Sequence, residues 1–264
     1  MSARTIRAKF DIPIWVQRSL TTVALLLAWE AASLAGLIPP RILAAPSAVA
    51  GTLWDMLASG ELESNLLVSL GRVLTGLSIA IFTGTTLALI AGLSRTGELA
   101  VDAPMQMLRT MPFLALVPLF ILWFGIGETP KIALIALGGT FPIYLNLFSG
   151  IRAVDKKLVE AGNCFGLTHA ALIKHVILPG ALPSFLVGLR YSLGISWLSL
   201  VVAEQVNATA GIGYLIDNAR DYMRTDIIVV CLLVNSVLGL TTDFIVRTLE
   251  RYALAWRPSF INVS

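Results

Sequence analysis

Five ionisable side chains lie inside long apolar stretches of this sequence, where a charge is costly and function is the usual reason for keeping one. They are Glu30, Arg72, Arg109, Arg190 and Glu204. An anion that crosses a membrane needs compensating positive charge, and a guanidinium presents a planar fork to an oxyanion. We therefore predict that Arg109 and Arg190 line a path for an anion. An ion pair between helices is the alternative for each.

The remaining polar groups in these stretches allow simpler explanations. Arg72 and Glu204 lie near the ends of their apolar stretches, from which a charged group can reach the membrane surface. Glu30 is more interior and is expected to face a neighbouring helix. Tyr144 and Asn146 follow a proline that favours a helix kink, and they are predicted either to line a cavity or to join neighbouring helices.

Signatures of catalysis and of metal binding are absent from the sequence. There is no GxxxxGK[ST] phosphate loop, so the chain cannot hydrolyse ATP by that route, and there is no GxSxG, HExxH or CxxC. His169 and His175 are six residues apart without further ligands, which predicts no metal site. Cys164 and Cys231 are too few for a disulfide framework. We expect a chain that is not an enzyme, binds no cofactor and takes its energy from another subunit.

The composition indicates an integral membrane protein. The 264 residues are 56% hydrophobic and 13% charged, with a mean hydropathy of +0.82. Soluble domains carry about 25% charged residues, and a membrane-spanning helix needs about 20 apolar residues. We predict an all-α, polytopic transmembrane helix bundle of about six spans that forms one domain over residues 1–264. The expected spans are approximately 20–38, 66–93, 101–125, 131–151, 181–206 and 227–247.

The distribution of lysine and arginine predicts the orientation of this bundle. These residues are concentrated in the N-terminal tail, in the connection 152–174 and in the C-terminal tail. Cytoplasmic loops carry such an excess, so both termini and the connection are expected in the cytoplasm. The external connections 39–65 and 207–226 are each predicted to contain a short interfacial helix. A Gly-Ile-Gly pattern in the second one is too short to indicate nucleotide binding.

The connection between the fourth and fifth spans is predicted to form two short helices with a sharp turn between them. Asp155 is a good N-cap for a helix that starts at Lys156, and Gly166 can end that helix in a left-handed conformation. Thr168 can cap a second helix, from His169 to Ile177, which Pro179 is expected to close. We call residues 155–179 the elbow.

One face of the first elbow helix is apolar. Leu158, Ala161, Gly162 and Phe165 recur at helical spacing and form a single stripe. Two short helices cannot bury such a stripe by themselves. We therefore expect the elbow to dock into a groove on another protein.

The elbow sequence resembles the EAA loop of permeases of ATP-binding-cassette (ABC) importers. Glu160-Ala161-Gly162 is followed after three residues by Gly166, and after nine more by Val176-Ile177-Leu178-Pro179. Gly162 replaces the second alanine of that motif and Val176 replaces its usual isoleucine. Both replacements keep the small or aliphatic character. Outside the elbow, almost the whole chain is similar to the nitrate, sulfonate and taurine branch of these permeases, and most similar to aliphatic-sulfonate permeases.

This resemblance implies a type I importer fold and a set of partners. The chain is expected in the inner membrane as a homodimer, with two cytoplasmic ATPase subunits that bind ATP and Mg²⁺ and with an extracytoplasmic solute-binding protein. The residues expected to couple it to the ATPase are Asp155, Leu158, Glu160, Ala161, Gly162, Phe165, Gly166 and Pro179. The expected substrate is an aliphatic sulfonate. Taurine, nitrate or bicarbonate, and a pyrimidine precursor remain alternatives, and an ion-coupled secondary transporter is the alternative class.

Overall fold

The computed structural model describes residues 14–256, and every regular element in that range is helical. A short 3₁₀ turn occupies Phe113–Leu116, and a π-helical turn occupies Ile173–Ile177. The helices are α1 (Ile14–Leu34), α2 (Pro46–Ala58), α3 (Glu61–Leu93), α4 (Arg95–Thr110), α5 (Val117–Phe124), α6 (Glu128–Arg152), α7 (Lys156–Cys164), α8 (His169–Leu172), α9 (Leu178–Gln205), α10 (Ile212–Asp221) and α11 (Thr225–Ala253).

Four helical stretches in the described range are long and apolar enough to cross a membrane. They are Glu61–Leu93, Glu128–Arg152, His169–Gln205 and Thr225–Ala253. A fifth is added if α4 and α5 are counted as one broken span, and the apolar part of the first helix, Leu20–Leu34, is shorter than the others. The helical membrane bundle is therefore confirmed, whereas six separate spans are not.

The third expected span, 101–125, is not a continuous helix. The segments Arg95–Thr110 and Leu114–Phe124 are bent by 85° relative to one another. The break falls at Met111, whose extended backbone (φ −73°, ψ 138°) precedes Pro112. A residue before proline is driven out of the helical region by the proline ring, so the local sequence itself accounts for the bend.

Small residues allow the three central helices, α3, α6 and α9, to pack closely. A Cβ atom at Gly76 would lie 2.6 Å from Cγ2 of Ile135, and one at Gly84 would lie 2.9 Å from Cβ of Ile143. Where α9 meets α6, the Ser192 hydroxyl donates a hydrogen bond of 2.8 Å to the carbonyl oxygen of a glycine in α6. This is the close packing that small residues permit in membrane bundles.

Each of the two connections that were expected to be external contains a short helix, α2 in the first and α10 in the second. The backbone N–H and the hydroxyl of Ser47, in the first turn of α2, donate hydrogen bonds of 3.0 and 2.7 Å to the carboxylate of Glu30. Glu30 therefore acts as a cap that joins α1 to α2. A carboxylate is favourable at this position because the N-terminus of a helix carries a partial positive charge.

Candidate functional site

The first half of the elbow folds as the sequence predicts. The side chain of Asp155 accepts a hydrogen bond of 2.9 Å from the backbone N–H of Lys157, at the start of α7. Gly166 ends this helix with a left-handed φ of +76°, and the N–H of Leu167 donates to the carbonyl of Gly162 at 3.1 Å. That bond closes a Schellman-type turn. The Thr168 hydroxyl then caps α8 by accepting from a backbone N–H at 3.3 Å.

The apolar stripe of α7 divides into an inner and an outer part. Gly162 is buried, and a Cβ atom there would lie 2.7 Å from Cδ1 of Leu172, so it is the point at which the two elbow helices meet. Leu158 and Phe165 instead point away from the chain, with 58% and 87% of their surface exposed, and Ala161 is exposed beside them. Glu160 is exposed as well. The elbow thus presents an apolar surface that residues 14–256 do not cover.

The expectation that Pro179 closes the second elbow helix is wrong. The helix continues from His169 to Gln205 without interruption. Proline lacks the N–H of a regular helical bond, and its ring clashes with the carbonyl four residues earlier. Just before Pro179 the helix widens into the π-helical turn, in which the Leu178 N–H donates to the carbonyl of Ile173. The elbow is therefore joined to a membrane-spanning helix as one continuous rod.

Tyr144 and Asn146 both make hydrogen bonds within the bundle. The fully buried Tyr144 donates through its hydroxyl to Oδ1 of Asp102 on α4 at 3.0 Å, and its ring stacks on Phe148. The amide of Asn146 donates to the carbonyl of Pro142 at 2.8 Å. Tyr144 therefore joins α6 to α4, as in the alternative considered for it, whereas the bond of Asn146 stays within α6. A role of either residue in the substrate path stays a prediction.

The two arginines singled out from the sequence have different surroundings. Arg190 forms ion pairs with Asp243 at 3.3 Å and with Glu250, both on α11. Arg109 is exposed at the end of α4, and within residues 14–256 its side chain has no ion pair or hydrogen bond. Arg190 thus has the inter-helix pairing considered as its alternative, whereas the guanidinium of Arg109 is available to an anion.

A buried charged cluster is present that the sequence did not predict. Arg72 and Glu204 were expected to reach the membrane surface, but they are 5% and 1% exposed and form a buried ion pair at 2.7 Å. Arg72 also binds Glu128 through two of its nitrogens, and Lys131 lies 3.2 Å from the same carboxylate. The prediction of exposed charges was wrong because each charge finds its partner on another helix. The opposite signs of charges in separate apolar stretches were the only available signal.

The glycines after α9 bring the backbone onto this cluster. A Cβ atom at Gly211 would overlap the carboxylate of Glu204. A Cβ atom at Gly213 would lie 2.6 Å from Cβ of Glu204. The Gly213 N–H donates to Glu204 at 2.8 Å, and the Ser69 hydroxyl donates to the same carboxylate. The Gly-Ile-Gly pattern therefore places the N-terminus of α10 against a buried carboxylate.

A continuous helix that links an exposed elbow to a membrane bundle is the arrangement of a transport permease. Residues 66–253 match the family described as binding-protein-dependent transport system inner membrane component, and the chain belongs to this family. Among its relatives, the aliphatic sulfonates transport permease protein SsuC of Escherichia coli (strain K12) is 48% identical over 238 residues, which are 90% of each chain. SsuC of Bacillus subtilis (strain 168) is 41% identical over 246 residues, or 93% of this chain and 89% of that protein.

More distant relatives and solved structures support the same classification. The taurine transport system permease protein TauC of Escherichia coli (strain K12) is 32% identical over 263 residues, covering 97% of this chain and 95% of its own. An amino acid ABC transporter crystallised with histidines superposes with a TM-score of 0.64 at 22% identity, over 76% of this chain and 97% of that one. The MetNI methionine transporter gives 0.63 at 17% identity, over 74% and 97%. At these identities the structures establish the fold alone, which is that of ABC-importer permeases.

Proposed function

We propose that this chain is the membrane permease of an ABC importer for aliphatic sulfonates. The observation that carries this proposal is its 48% and 41% identity, over about nine-tenths of its length, to two permeases named for these substrates. In this function the chain forms the passage through the inner membrane. Its relatives named here are transport permeases and not enzymes, so ATP hydrolysis belongs to a separate subunit.

The elbow is proposed as the docking site of that ATPase. The exposed side chains of Leu158 and Phe165 support this role, because together with Ala161 they form an uncovered apolar patch of the kind that a groove on a partner buries. Asp155, Gly162 and Gly166 are proposed to hold the patch in shape, and Pro179 to join it to α9. Glu160 is proposed to contribute a polar contact at the edge of the groove.

The proposed assembly contains two copies of this chain, two ATPase subunits and one extracytoplasmic binding protein. Residues 1–264 are proposed to form one permease domain with both termini and the elbow in the cytoplasm. The excess of lysine and arginine in the tails and in the connection 152–174 supports this orientation.

The mechanism follows from the rigid link between the elbow and α9. When ATP closes the two ATPase subunits, the docked elbows move together and switch the bundle from inward-open to outward-open. The binding protein then releases its anion into the passage, and hydrolysis reverses the switch. Movement of the elbow is proposed to reach the membrane through helix His169–Gln205, which is continuous between them.

Substrate-stimulated ATP hydrolysis tests this function. Vesicles that contain this chain, its ATPase and its binding protein are offered alkanesulfonates, taurine, nitrate and bicarbonate in turn. We expect stimulation by alkanesulfonates. Stimulation by taurine alone would favour the second candidate substrate, which rests on the 32% identity to TauC. Import of any of these anions without the ATPase would instead indicate an ion-coupled secondary transporter.

A further inference from the structure

A cavity of about 660 Å³ lies between α3, α4, α5 and α6. This volume falls within the roughly 300–1,000 Å³ of typical small-molecule sites. The cavity is open on one side, and most of the side chains around it are hydrocarbon. Its apolar walls include Ile79, Leu87, Met105, Phe120, Ile132 and Phe141.

The polar groups in this cavity are four threonine hydroxyls: Thr75 and Thr83 on α3, and Thr129 and Thr140 on α6. The hydroxyls of Thr83 and Thr140 are 2.8 Å apart, and each also lies within hydrogen-bond distance of a carbonyl oxygen of its own helix, so the hydrogen of each hydroxyl has an acceptor. Thr75 is bonded in the same way. These three hydroxyls therefore need no partner from a ligand, and a hydrocarbon chain can occupy the cavity without leaving them unpaired.

The cavity walls contain no charged side chain, but Arg109 follows directly after the lining residue Leu108. It also lies four residues after Met105, another lining residue, so it is one turn further along nearly the same side of α4. Its guanidinium is exposed and, among the described residues, unpaired. An apolar cavity with a free guanidinium at its edge matches an amphiphile that has one anionic head and one short chain.

We propose that this cavity binds the hydrocarbon chain of an alkanesulfonate while Arg109 binds its sulfonate group. The permease then contributes to chain-length selection in addition to the binding protein. This inference rests on the proposed function. An anionic phospholipid shares the chemistry of an oxyanion and a hydrocarbon, but it carries two long chains, and the volume of the cavity suits a single short one.

The first test fills the cavity in the complete transporter. Ala133 lines the cavity and is only partly buried, so Ala133→Phe narrows the space, whereas Ala133→Ser keeps it as the matched control. ATP-driven uptake of ethanesulfonate and octanesulfonate is measured in the same vesicles. Because each buried methylene is worth about fourfold, we expect Ala133→Phe to lower the octanesulfonate-to-ethanesulfonate uptake ratio by about tenfold or more, and Ala133→Ser to leave it unchanged.

The second test changes the charge at the cavity edge. Arg109→Gln should lower uptake of both sulfonates by a similar factor, since both carry the same head group, and Arg109→Lys should recover part of it. Ethanesulfonate uptake by the unaltered complex tests the proposed function separately. If that uptake occurs and Ala133→Phe carries both substrates in the original ratio, the cavity assignment is overturned.

Thiol labelling decides the proposal if Ala133→Phe does not assemble. Thr83→Cys, in a Cys164→Ser background, replaces a hydroxyl by a thiol of similar size inside the cavity. We expect octanesulfonate, and not ethanesulfonate, to slow the reaction of this thiol with an alkyl methanethiosulfonate in the complete transporter. Protection by phosphatidylglycerol and not by octanesulfonate would identify a lipid site and overturn the proposal.

Discussion

Gly166 controls the shape of the elbow through its backbone and not through packing. Its φ is +76°, and no atom lies within 4 Å of the position that a Cβ atom would occupy. A β-branched residue in this conformation costs about 1–2 kcal/mol, so Gly166→Val should reorient the elbow while the bundle remains inserted. We expect ATP-driven uptake in vesicles to be largely lost. Gly166→Asn, which tolerates the left-handed conformation, should retain it; normal uptake by Gly166→Val would contradict the elbow assignment.

Arg72 and Glu204 form a buried ion pair that joins α3 to α9. Removing one partner of a buried pair leaves an uncompensated charge and costs about 3–5 kcal/mol. Arg72→Met and Glu204→Gln should each lower the thermal unfolding midpoint of the purified permease in detergent. Their effects should not add in the double variant, because they remove the same interaction.

The exposed pair between Arg220 and Asp217 provides the control. Arg220→Gln should cost less than about 1 kcal/mol, as is usual for a surface ion pair. Equal losses from Arg72→Met and Arg220→Gln would contradict a stabilising role for the buried cluster.

At the scale of single elements, the outer face of α7 and the adjoining Phe165 are uncovered by the rest of residues 14–256. Phe165 is 87% exposed, so Phe165→Ser removes almost no internal contact and should leave the unfolding midpoint unchanged. A central aromatic anchor is worth about 2 kcal/mol of docking free energy. We expect co-purification of the ATPase to fall sharply. Tyr222→Ser, at an exposed aromatic residue directly after α10, should not affect it; equal recovery of the ATPase with both variants would exclude Phe165 as an anchor.

The bend between α4 and α5 has a consequence at the same scale. A straight third span would fill the space beside α3 and α6, whereas the 85° bend leaves a cavity there. The sequence Met111-Pro112 is sufficient to break the helix. The direction in which the chain continues depends on the packing of α5 against α6, which the local sequence does not encode.

At the scale of the whole molecule, the two native cysteines test the proposed orientation. Cys164 is exposed on the elbow, and Cys231 is buried in α11. A membrane-impermeant maleimide should therefore label the permease in inside-out vesicles and not in intact spheroplasts. Cys164→Ser should abolish the labelling. Reaction in spheroplasts would place the elbow outside the cell and overturn the proposed topology.

The class of protein, its helical content and the first half of the elbow could be predicted from the sequence alone. Hydropathy summed over about 20 residues reports membrane insertion without any knowledge of neighbours, and the caps at Asp155 and Thr168 depend only on residues two or three positions away. The motif around Glu160 and Gly166 indicated the family because its spacing depends only on how one short stretch of chain folds. These features are encoded within single stretches of chain.

Only the tertiary structure decided which distant groups meet. Arg72 and Glu204 are 132 residues apart, and their pairing depends on how α3 and α9 are rotated against each other. The rotation of α9 also brings Arg190 to its partners on α11, whereas Arg109 on α4 has no partner among the described residues. Hydropathy identifies a membrane helix. It gives almost no information about the rotation of that helix about its axis when apolar residues cover all its faces. Small residues such as Gly84 and Ser192 allow α3 and α9 to pack closely against α6, and this packing favours the rotation that brings Arg72 and Glu204 together.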